Sequence, residues 1–197
     1  LTIFKNLISM IRNLINGDEY ISDRSKITYS LYFMSFMHIS YALLFMFCES
    51  AFLALYNLLA FLIVQILIRV AANKHLFTAA TLSAVEILAF SVVSTLALGN
   101  SMNFNLFCFS IIPMVFYVSS TIKDFKKHSY FSLLFSLLSL ATYAATIVIR
   151  TKNAPITNFP YDNILLISIL EIANSIILVR MITIFLFLCT WEMKNNT

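Results

Sequence analysis

The chain has 197 residues, of which 60% are hydrophobic and only 11% are charged, and its formal net charge is +4. Soluble domains carry about 25% charged residues, and a soluble domain of this size buries only about 70% of its chain surface. The composition therefore excludes an ordinary soluble enzyme or binding domain and predicts an integral membrane protein. The positive residues are scattered through short polar segments without a basic stripe. This charge suits an anionic lipid surface and not a nucleic acid.

The first segment, residues 1–17, has apolar and polar residues at helical spacing. Apolar side chains such as Ile3, Leu7 and Ile11 recur on one face, and Gly17 is a typical helix stop. The pattern predicts an amphipathic helix that lies in the membrane interface with its polar face in water. The alternative is that this segment is the trailing part of a longer helix.

Six apolar segments follow, each with about the 20 residues that a helix needs to cross a hydrocarbon core of about 30 Å. These predicted spans 1 to 6 cover residues 27–47, 51–72, 76–98, 104–122, 129–149 and 164–190. Short connections at 48–50 and 73–75 predict two antiparallel hairpins, and Pro113 is expected to kink span 4. The predicted fold is all-α: an integral membrane bundle of six transmembrane helices over 27–190, followed by a cytoplasmic tail at 191–197.

The lysines and arginines are distributed unevenly about these spans. Ten of the thirteen lie on one side of the six-span arrangement. They are Lys5, Arg12, Arg24, Lys26, Arg69, Lys74, Lys123, Lys126, Lys127 and Lys194. Because positive residues accumulate in short cytoplasmic loops, the pattern predicts a multi-pass protein of the cytoplasmic (inner) membrane with both termini in the cytoplasm.

Five His, Arg or Glu residues lie within the predicted spans: Arg69 near the end of span 2, where it is expected to snorkel or to be hydrogen-bonded, and His38, Glu86, Glu171 and Arg180. A charge at mid-bilayer costs at least about 2.5–3.5 kcal/mol, so each is expected to face the bundle interior or to be neutralised. Glu171 and Arg180 are nine residues apart and point to opposite sides of one helix, so Arg180 is the better predicted partner for Glu86. His38 is expected to be hydrogen-bonded or to snorkel.

Glu86, Glu171 and Arg180 are the predicted intramembrane polar centre. Its functional interpretation is a ligand- or ion-sensing site, and the alternative is a set of structural interhelical pairs or a protonated Glu. Phe104, Phe159 and Tyr161 are candidate ligand-lining residues of the outer face, or interfacial anchors. With two glycines in the whole sequence and no metal-ligand spacing among its cysteines, we expect no catalytic set, metal or cofactor.

A series of short motifs runs through predicted spans 3 and 4. The motifs are Glu86-Ile87, Leu98-Gly99, Phe104, Ile112-Pro113 and Phe116-Tyr117. Their order resembles the six-helix membrane region that precedes a cytoplasmic diguanylate cyclase, or an adenylate/guanylate cyclase, in bacterial signalling proteins. The resemblance implies that this chain is a sensory and anchoring module, with the output domain expected downstream of Thr197. The chain departs from that pattern directly after Gly99, where an aromatic residue is missing.

Three functional hypotheses follow from these patterns. In the first, a small-molecule or lipid ligand shifts the helix packing, and span 6 relays the shift to an output domain. Span 6 suits this role because about 28 residues of helix, roughly 42 Å, exceed the hydrocarbon core. The alternatives are a small transporter or channel subunit with its path at the polar centre, and a structural membrane protein without a ligand. Signalling outputs of this type also suggest a homodimer by analogy.

Overall fold

The computed structural model describes residues 22–99, 102–121, 130–152 and 163–195. These residues are 93% helical and contain no strand, so the all-α prediction is confirmed for this part of the chain. The predicted interfacial helix at 1–17 lies outside the described residues.

Six α-helices and one short 3₁₀ helix form the described bundle. They are α1 (Asp23–Phe47), α2 (Ala51–Ala72), α3 (Leu76–Leu98), the 3₁₀ helix (Phe104–Phe107), α4 (Cys108–Thr121), α5 (Tyr130–Lys152) and α6 (Ile164–Asn195). All but α4 and the 3₁₀ helix are long and apolar enough to cross a membrane, judged by length and composition. α2 and α3 begin and end at the predicted residues. α1 begins about one turn earlier than predicted, because Ser22 Oγ accepts the Ser25 N–H at 3.2 Å and caps it.

Predicted span 4 is not one continuous helix. Asn103, at φ 60°, precedes the 3₁₀ helix, and α4 then runs for 14 residues. By its length, α4 alone rises only about 21 Å, which is less than the hydrocarbon core of about 30 Å. Together, α4 and the 3₁₀ helix rise about 29 Å, close to that thickness. Pro113 lies inside α4, where its missing N–H leaves the Phe109 carbonyl without an intrahelical donor.

Two apolar cores show that successive helices run in opposite directions. The first core joins the starts of α1, α3 and α5 to the ends of α2, α4 and α6. Its members include Ile27, Leu67, Ala79, Val118, Phe131 and Phe185. The second core joins the ends of α1 and α3 to the starts of α2 and α6, around the 3₁₀ helix. The bundle is therefore up-and-down, with polar side chains near the boundary between the cores.

α6 is the helix that the bundle holds most loosely. It packs mainly on α4 and touches the 3₁₀ helix, while direct contacts with α1 and α3 are sparse among the described residues. The Tyr117 and Phe185 rings meet at the α4 side, with centroids 6.1 Å apart. Only 17% of the most apolar stretch of α6 is buried, against 28–50% for the other long helices. One side of α6 therefore faces an opening in the bundle.

The two tight connections place residues other than glycine in the left-handed region. Glu49 has φ 57° and Lys74 has φ 68°. After Lys74, the His75 N–H donates to the Val70 carbonyl at 3.2 Å, and the α1–α2 connection repeats this bond pattern. These are Schellman helix ends, whose left-handed position favours glycine.

We expect Lys74→Gly to raise the free energy of unfolding by up to about 1 kcal/mol. The left-handed conformation costs a residue with a Cβ about 1–2 kcal/mol, and the flexibility of glycine in the unfolded chain offsets part of the gain. Denaturation by SDS in mixed micelles, followed by circular dichroism, measures the change. Asn73→Gly, at φ −86°, is the matched control and should be destabilising. Lys74→Ala controls for the lost charge, and a Lys74→Gly protein no more stable than Lys74→Ala would contradict the prediction.

Candidate functional site

A buried polar triad lies where α1, α2 and α3 meet. His38, Asn57 and Glu86 are 4%, 0% and 8% exposed. His38 Nδ1 is 3.1 Å from Asn57 Oδ1, and His38 Nε2 is 3.1 Å from Glu86 Oε2. Asn57 Nδ2 in turn donates to the Leu53 carbonyl at 2.9 Å. The triad therefore joins three helices through one imidazole ring.

The hydrogen bonds of Asn57 determine where the imidazole protons lie. Because the amide nitrogen donates to Leu53, Oδ1 is the atom that accepts, and His38 Nδ1 is the donor. Nε2 and Glu86 Oε2 then need one proton between them, since otherwise two lone pairs would face each other at 3.1 Å. The His38–Glu86 pair is electrically neutral whether that proton lies on the imidazole or on the carboxyl. This neutrality limits the cost of burying it.

The Glu86 carboxyl has unused hydrogen-bonding capacity. His38 approaches it, and the Tyr56 hydroxyl interacts with it electrostatically. Both carboxyl oxygens are buried, and neither makes a hydrogen bond of regular geometry among the described residues. An unsatisfied buried acceptor costs about 1–3 kcal/mol. The hydrogen-bonding capacity of the triad is therefore incompletely satisfied in this structure.

A cavity of about 270 Å³ adjoins the triad between α1, α3, α4 and α6. Most of its wall is apolar, and His38, Tyr41 and Glu86 contribute to it. Four of the lining side chains are methionines, namely Met34, Met37, Met114 and Met181. Methionine is flexible and polarizable, so such a wall adapts to apolar ligands of different shape.

The cavity opens sideways between α1 and α6. Phe33 and Ile184 line it, one from each helix, and they are 48% and 55% exposed at the bundle surface. The same two helices make few direct contacts among the described residues. The cavity wall formed by α1 and α6 therefore reaches the lateral surface of the bundle.

Hydrogen bonds attach the start of α6 beside the cavity. The Tyr41 hydroxyl donates to Asn174 Oδ1, and Asn174 Nδ2 donates to the Met102 carbonyl at 2.6 Å. Asn103 Nδ2 also lies 3.0 Å from Ser175 Oγ. We call these five residues the α6 clasp. Tyr41 belongs both to the clasp and to the cavity wall, so the clasp is in direct contact with the cavity.

The structure separates the three residues of the predicted polar centre. Glu86 is buried as expected, but its partner is His38 and not Arg180. Glu171 and Arg180 are exposed on α6, and neither lines the cavity. The predicted Glu86–Arg180 pair is therefore replaced by a pair between α1 and α3.

Of the three candidate outer-face residues, Phe104 is the one that lies in the described part of the chain. Phe104 is fully buried, and its ring centroid lies 5.7 Å from that of Phe90 and 5.6 Å from that of Tyr41. Phe104 therefore packs against Tyr41 and Phe90, which line the cavity, and does not line it itself. Phe159 and Tyr161 lie outside the described residues.

Sequence reasoning missed three polar residues of the site: Tyr41, Asn57 and Asn174. The two asparagines carry a signal, because each is an amide within a long apolar helix, and the structure leaves both at most 1% exposed. An amide in such a place needs a partner on another helix. Tyr41 carries no such signal, since tyrosine is also common at membrane interfaces.

The described residues hold no group of three His, Cys, Asp or Glu side chains that could bind a metal ion. Cys48 and Cys108 are buried and form no disulfide. Burial raises the pKa of the Cys48 thiol at the end of α1, which keeps it protonated and unreactive near neutral pH. In the comparisons with known proteins, no family model, curated protein or solved structure matches this chain.

We expect His38→Phe to lower the free energy of unfolding by about 3 kcal/mol, because it leaves the Glu86 carboxyl buried without its partner. The double variant His38→Phe/Glu86→Met removes both polar groups and should recover most of that loss. SDS denaturation of both proteins in mixed micelles gives the two values. Glu171→Gln is the control at an exposed carboxylate and should change stability by less than about 0.5 kcal/mol. A double variant as unstable as His38→Phe would show that the two side chains are not coupled.

Proposed function

We propose that this chain is a multi-pass membrane sensory and anchoring module, which takes an apolar ligand into the cavity between α1 and α6 and relays its presence through α6. One observation carries the proposal. The cavity separates α6 from α1 and α3, and the described contacts of α6 lie mainly on α4 and at the clasp. A helix held on one side beside an open cavity is a natural element for a ligand to move.

The surface of the bundle supports a membrane location. Large apolar side chains such as Leu59, Leu62 and Ile66 are more than half exposed on α2, and lipid tails are the solvent that suits such a face. The five long helices would each cross the bilayer, and α4 with the 3₁₀ helix would supply a sixth crossing of about 29 Å.

The charges support an orientation within that membrane. Lys26, Arg69 and Lys74 all lie at the end of the bundle that holds the first core. The positive-inside rule assigns this end to the cytoplasm, so the proposal includes a bacterial inner membrane with both termini cytoplasmic. The end of α6 then also reaches the cytoplasmic side.

The proposed mechanism is a shift between two packings of α6. A ligand that fills the cavity binds more tightly to the packing that leaves room for it, and it shifts the equilibrium by that difference in affinity. Each methylene group that it buries contributes about 0.8 kcal/mol. Because Tyr41 contacts both the cavity and Asn174, a change in the wall also reaches the clasp.

The length of α6 would allow this shift to be transmitted beyond the membrane. Its 32 residues rise about 48 Å, well beyond a hydrocarbon core of about 30 Å. The excess would project into the cytoplasm and carry the change of packing to an output domain, of the cyclase type that the sequence resemblance implies. A transport path at Glu86, Glu171 and Arg180 has less support, because the last two side chains lie outside the cavity.

Reporter fusions test the proposed orientation. Green fluorescent protein after Asn195 should fluoresce, because this end lies in the cytoplasm, where the reporter folds. Alkaline phosphatase inserted at Glu49 should be active, because it reaches the opposite side. Exchanging the two reporters is the control and should silence both. Fluorescence from an insertion at Glu49 would overturn the orientation.

A fusion of residues 1–197 to a diguanylate cyclase domain tests the relay. Ile177→Trp, which fills the cavity from α6, and Tyr41→Phe, which removes a clasp hydrogen bond, should each change the cyclase rate about fivefold, since a hydrogen bond contributes about 1 kcal/mol. Val179→Trp places the same bulk on the 61% exposed face of α6 and should leave the rate unchanged. The relay would be refuted if the cyclase rate stayed the same in Ile177→Trp, in Tyr41→Phe and in variants with alanines inserted after Asn195.

A further inference from the structure

We infer that the ligand of this cavity is a compact, uncharged aromatic molecule of no more than two fused rings, with one hydrogen-bond donor that Glu86 accepts. The inference rests on the proposed function, since it names the class of ligand that the cavity would sense. It is drawn from the volume of the cavity, from the side chains of its wall and from the hydrogen bonds around the His38–Glu86 pair.

The volume of the cavity limits the size of the ligand. An apolar cavity of about 150 Å³ in another protein binds benzene. At the same filling, the volume of about 270 Å³ here holds about ten heavy atoms, which is the size of indole or naphthalene. A sterol or a long lipid tail is too large for this volume. The ligand is therefore compact.

Aromatic side chains form the cavity wall beside the polar triad. Phe90 follows Glu86 by one turn of α3, so the two side chains lie on the same face of that helix, and both line the cavity. The Phe90 ring centroid is 5.4 Å from that of Tyr41 and 5.8 Å from that of Phe107. Tilted and edge-to-face contacts of this kind are the ones that aromatic rings favour. The four lining methionines add sulfur–aromatic contacts, so the wall suits an aromatic ligand.

The hydrogen-bond donors of this part of the wall are already in use. The Tyr41 hydroxyl donates within the α6 clasp, and the Ser83 hydroxyl donates to the Ala80 carbonyl at 2.8 Å. Both ring nitrogens of His38 are used within the triad. The unused capacity lies on the acceptor side, at the two Glu86 oxygens. A ligand that supplies a donor is therefore favoured over one that offers an acceptor.

A ligand donor would reach Glu86 after a small rotation of the carboxyl group. Surrounding protein atoms cover both oxygens, but Glu86 itself lines the cavity. No hydrogen bond of regular geometry among the described residues holds the carboxyl in place. Because the His38–Glu86 pair carries no net charge, a charged ligand would be buried here without a counter-charge. An uncharged N–H or O–H group avoids that cost and still supplies the donor.

Displacement of fluoroindole tests the size of the ligand and its donor. The full chain in phosphatidylcholine nanodiscs is titrated with fluoroindole, and fluorine NMR measures the bound probe, with protein-free nanodiscs as the blank for partition into lipid. Indole should displace the probe. Indene has the same ring skeleton without the N–H and should compete about fivefold less well, since a hydrogen bond is lost. Indene that competes as well as indole would overturn the assignment of the donor.

Two further competitors test the size limit and the charge. Carbazole keeps the N–H but adds a third ring, and it should compete at least tenfold less well than indole. Aminoindane is close to indole in size but carries an ammonium group, and it should also compete at least tenfold less well. Equal competition by carbazole would overturn the size limit, and equal competition by aminoindane would show that the ligand is not uncharged.

Variants of the triad test whether Glu86 is the acceptor. The double variant His38→Phe/Glu86→Met removes the acceptor together with its partner, so it should bind indole and indene equally. Glu171→Gln is the matched control and should keep the fivefold preference for indole. Because the readout is a ratio of two affinities, a general loss of stability does not imitate the result. A preference that persists in the double variant would assign the donor to another acceptor and overturn the inference.

Blocking variants test the location of the site. Ile177→Trp from α6 and Met37→Trp from α1 should each weaken fluoroindole binding at least tenfold, whereas Val179→Trp, on the exposed face of α6, should not. Two blocking variants on different helices protect the test against one that fails to fold, which circular dichroism would reveal. Unchanged binding in both folded variants would place the probe outside the cavity and overturn the inference.

The cyclase fusion separates the ligand class from the relay. If indole binds in the cavity but the cyclase rate responds neither to indole nor to Ile177→Trp, the ligand class stands and the relay fails. If the rate responds to Ile177→Trp while fluoroindole binds no better than to protein-free nanodiscs, the relay stands and the ligand class is wrong.

Discussion

The structure depends on the requirement that His38 and Glu86 share one proton inside an apolar bundle. Asn57 holds the imidazole in one orientation, so a single ring joins α1, α2 and α3 near the boundary between the two cores. A buried carboxyl without such a partner would be strongly destabilising. The register of the first three helices follows from this contact, because sliding any of them by one turn would separate the triad by about 5 Å. The rest of the bundle packs around a fixed three-helix unit, and α6 is left as the element with the fewest constraints.

Most of the fold could be predicted from hydropathy, because each long helix must be apolar over about 20 residues. The ends of α2 and α3 were also predictable, since Cys48-Glu49-Ser50 and Asn73-Lys74-His75 are polar interruptions of three residues. The structure of span 4 was not predictable, because this span changes from a 3₁₀ helix to an α-helix. Hydropathy does not distinguish a 3₁₀ turn from an α-helical one. The left-handed Asn103, which begins that turn, has a side chain that reaches Ser175 on α6. Its conformation therefore depends on tertiary contacts that no local pattern contains.

The candidate site was predictable only in part, and Glu86 shows why. A carboxylate in an apolar helix is predicted to need a partner, but the sequence does not identify the helix that packs beside it. Arg180 has the matching charge, whereas His38 has the matching position, because α1 contacts α3 and α6 lies across the cavity. In an up-and-down bundle, two residues meet only if their helices are adjacent and their heights agree. Asn57 and Asn174 carried the same kind of signal, an amide within an apolar helix, and their partners likewise could be identified only from the packing of the helices.

The triad and the cavity wall differ in the kind of contact that holds them. Polar contacts are directional, so the triad tolerates little sliding of α1, α2 and α3. The wall opposite is built from methionines and aliphatic side chains, whose contacts change partner at small cost. α6 rests against that wall and against α4, with a directional attachment at Asn174. Under the proposed function, a ligand that alters the wall would therefore meet most resistance on the triad side and least on the α6 side. The proposed response would be directed by this difference in stiffness towards α6, the longest of the described helices.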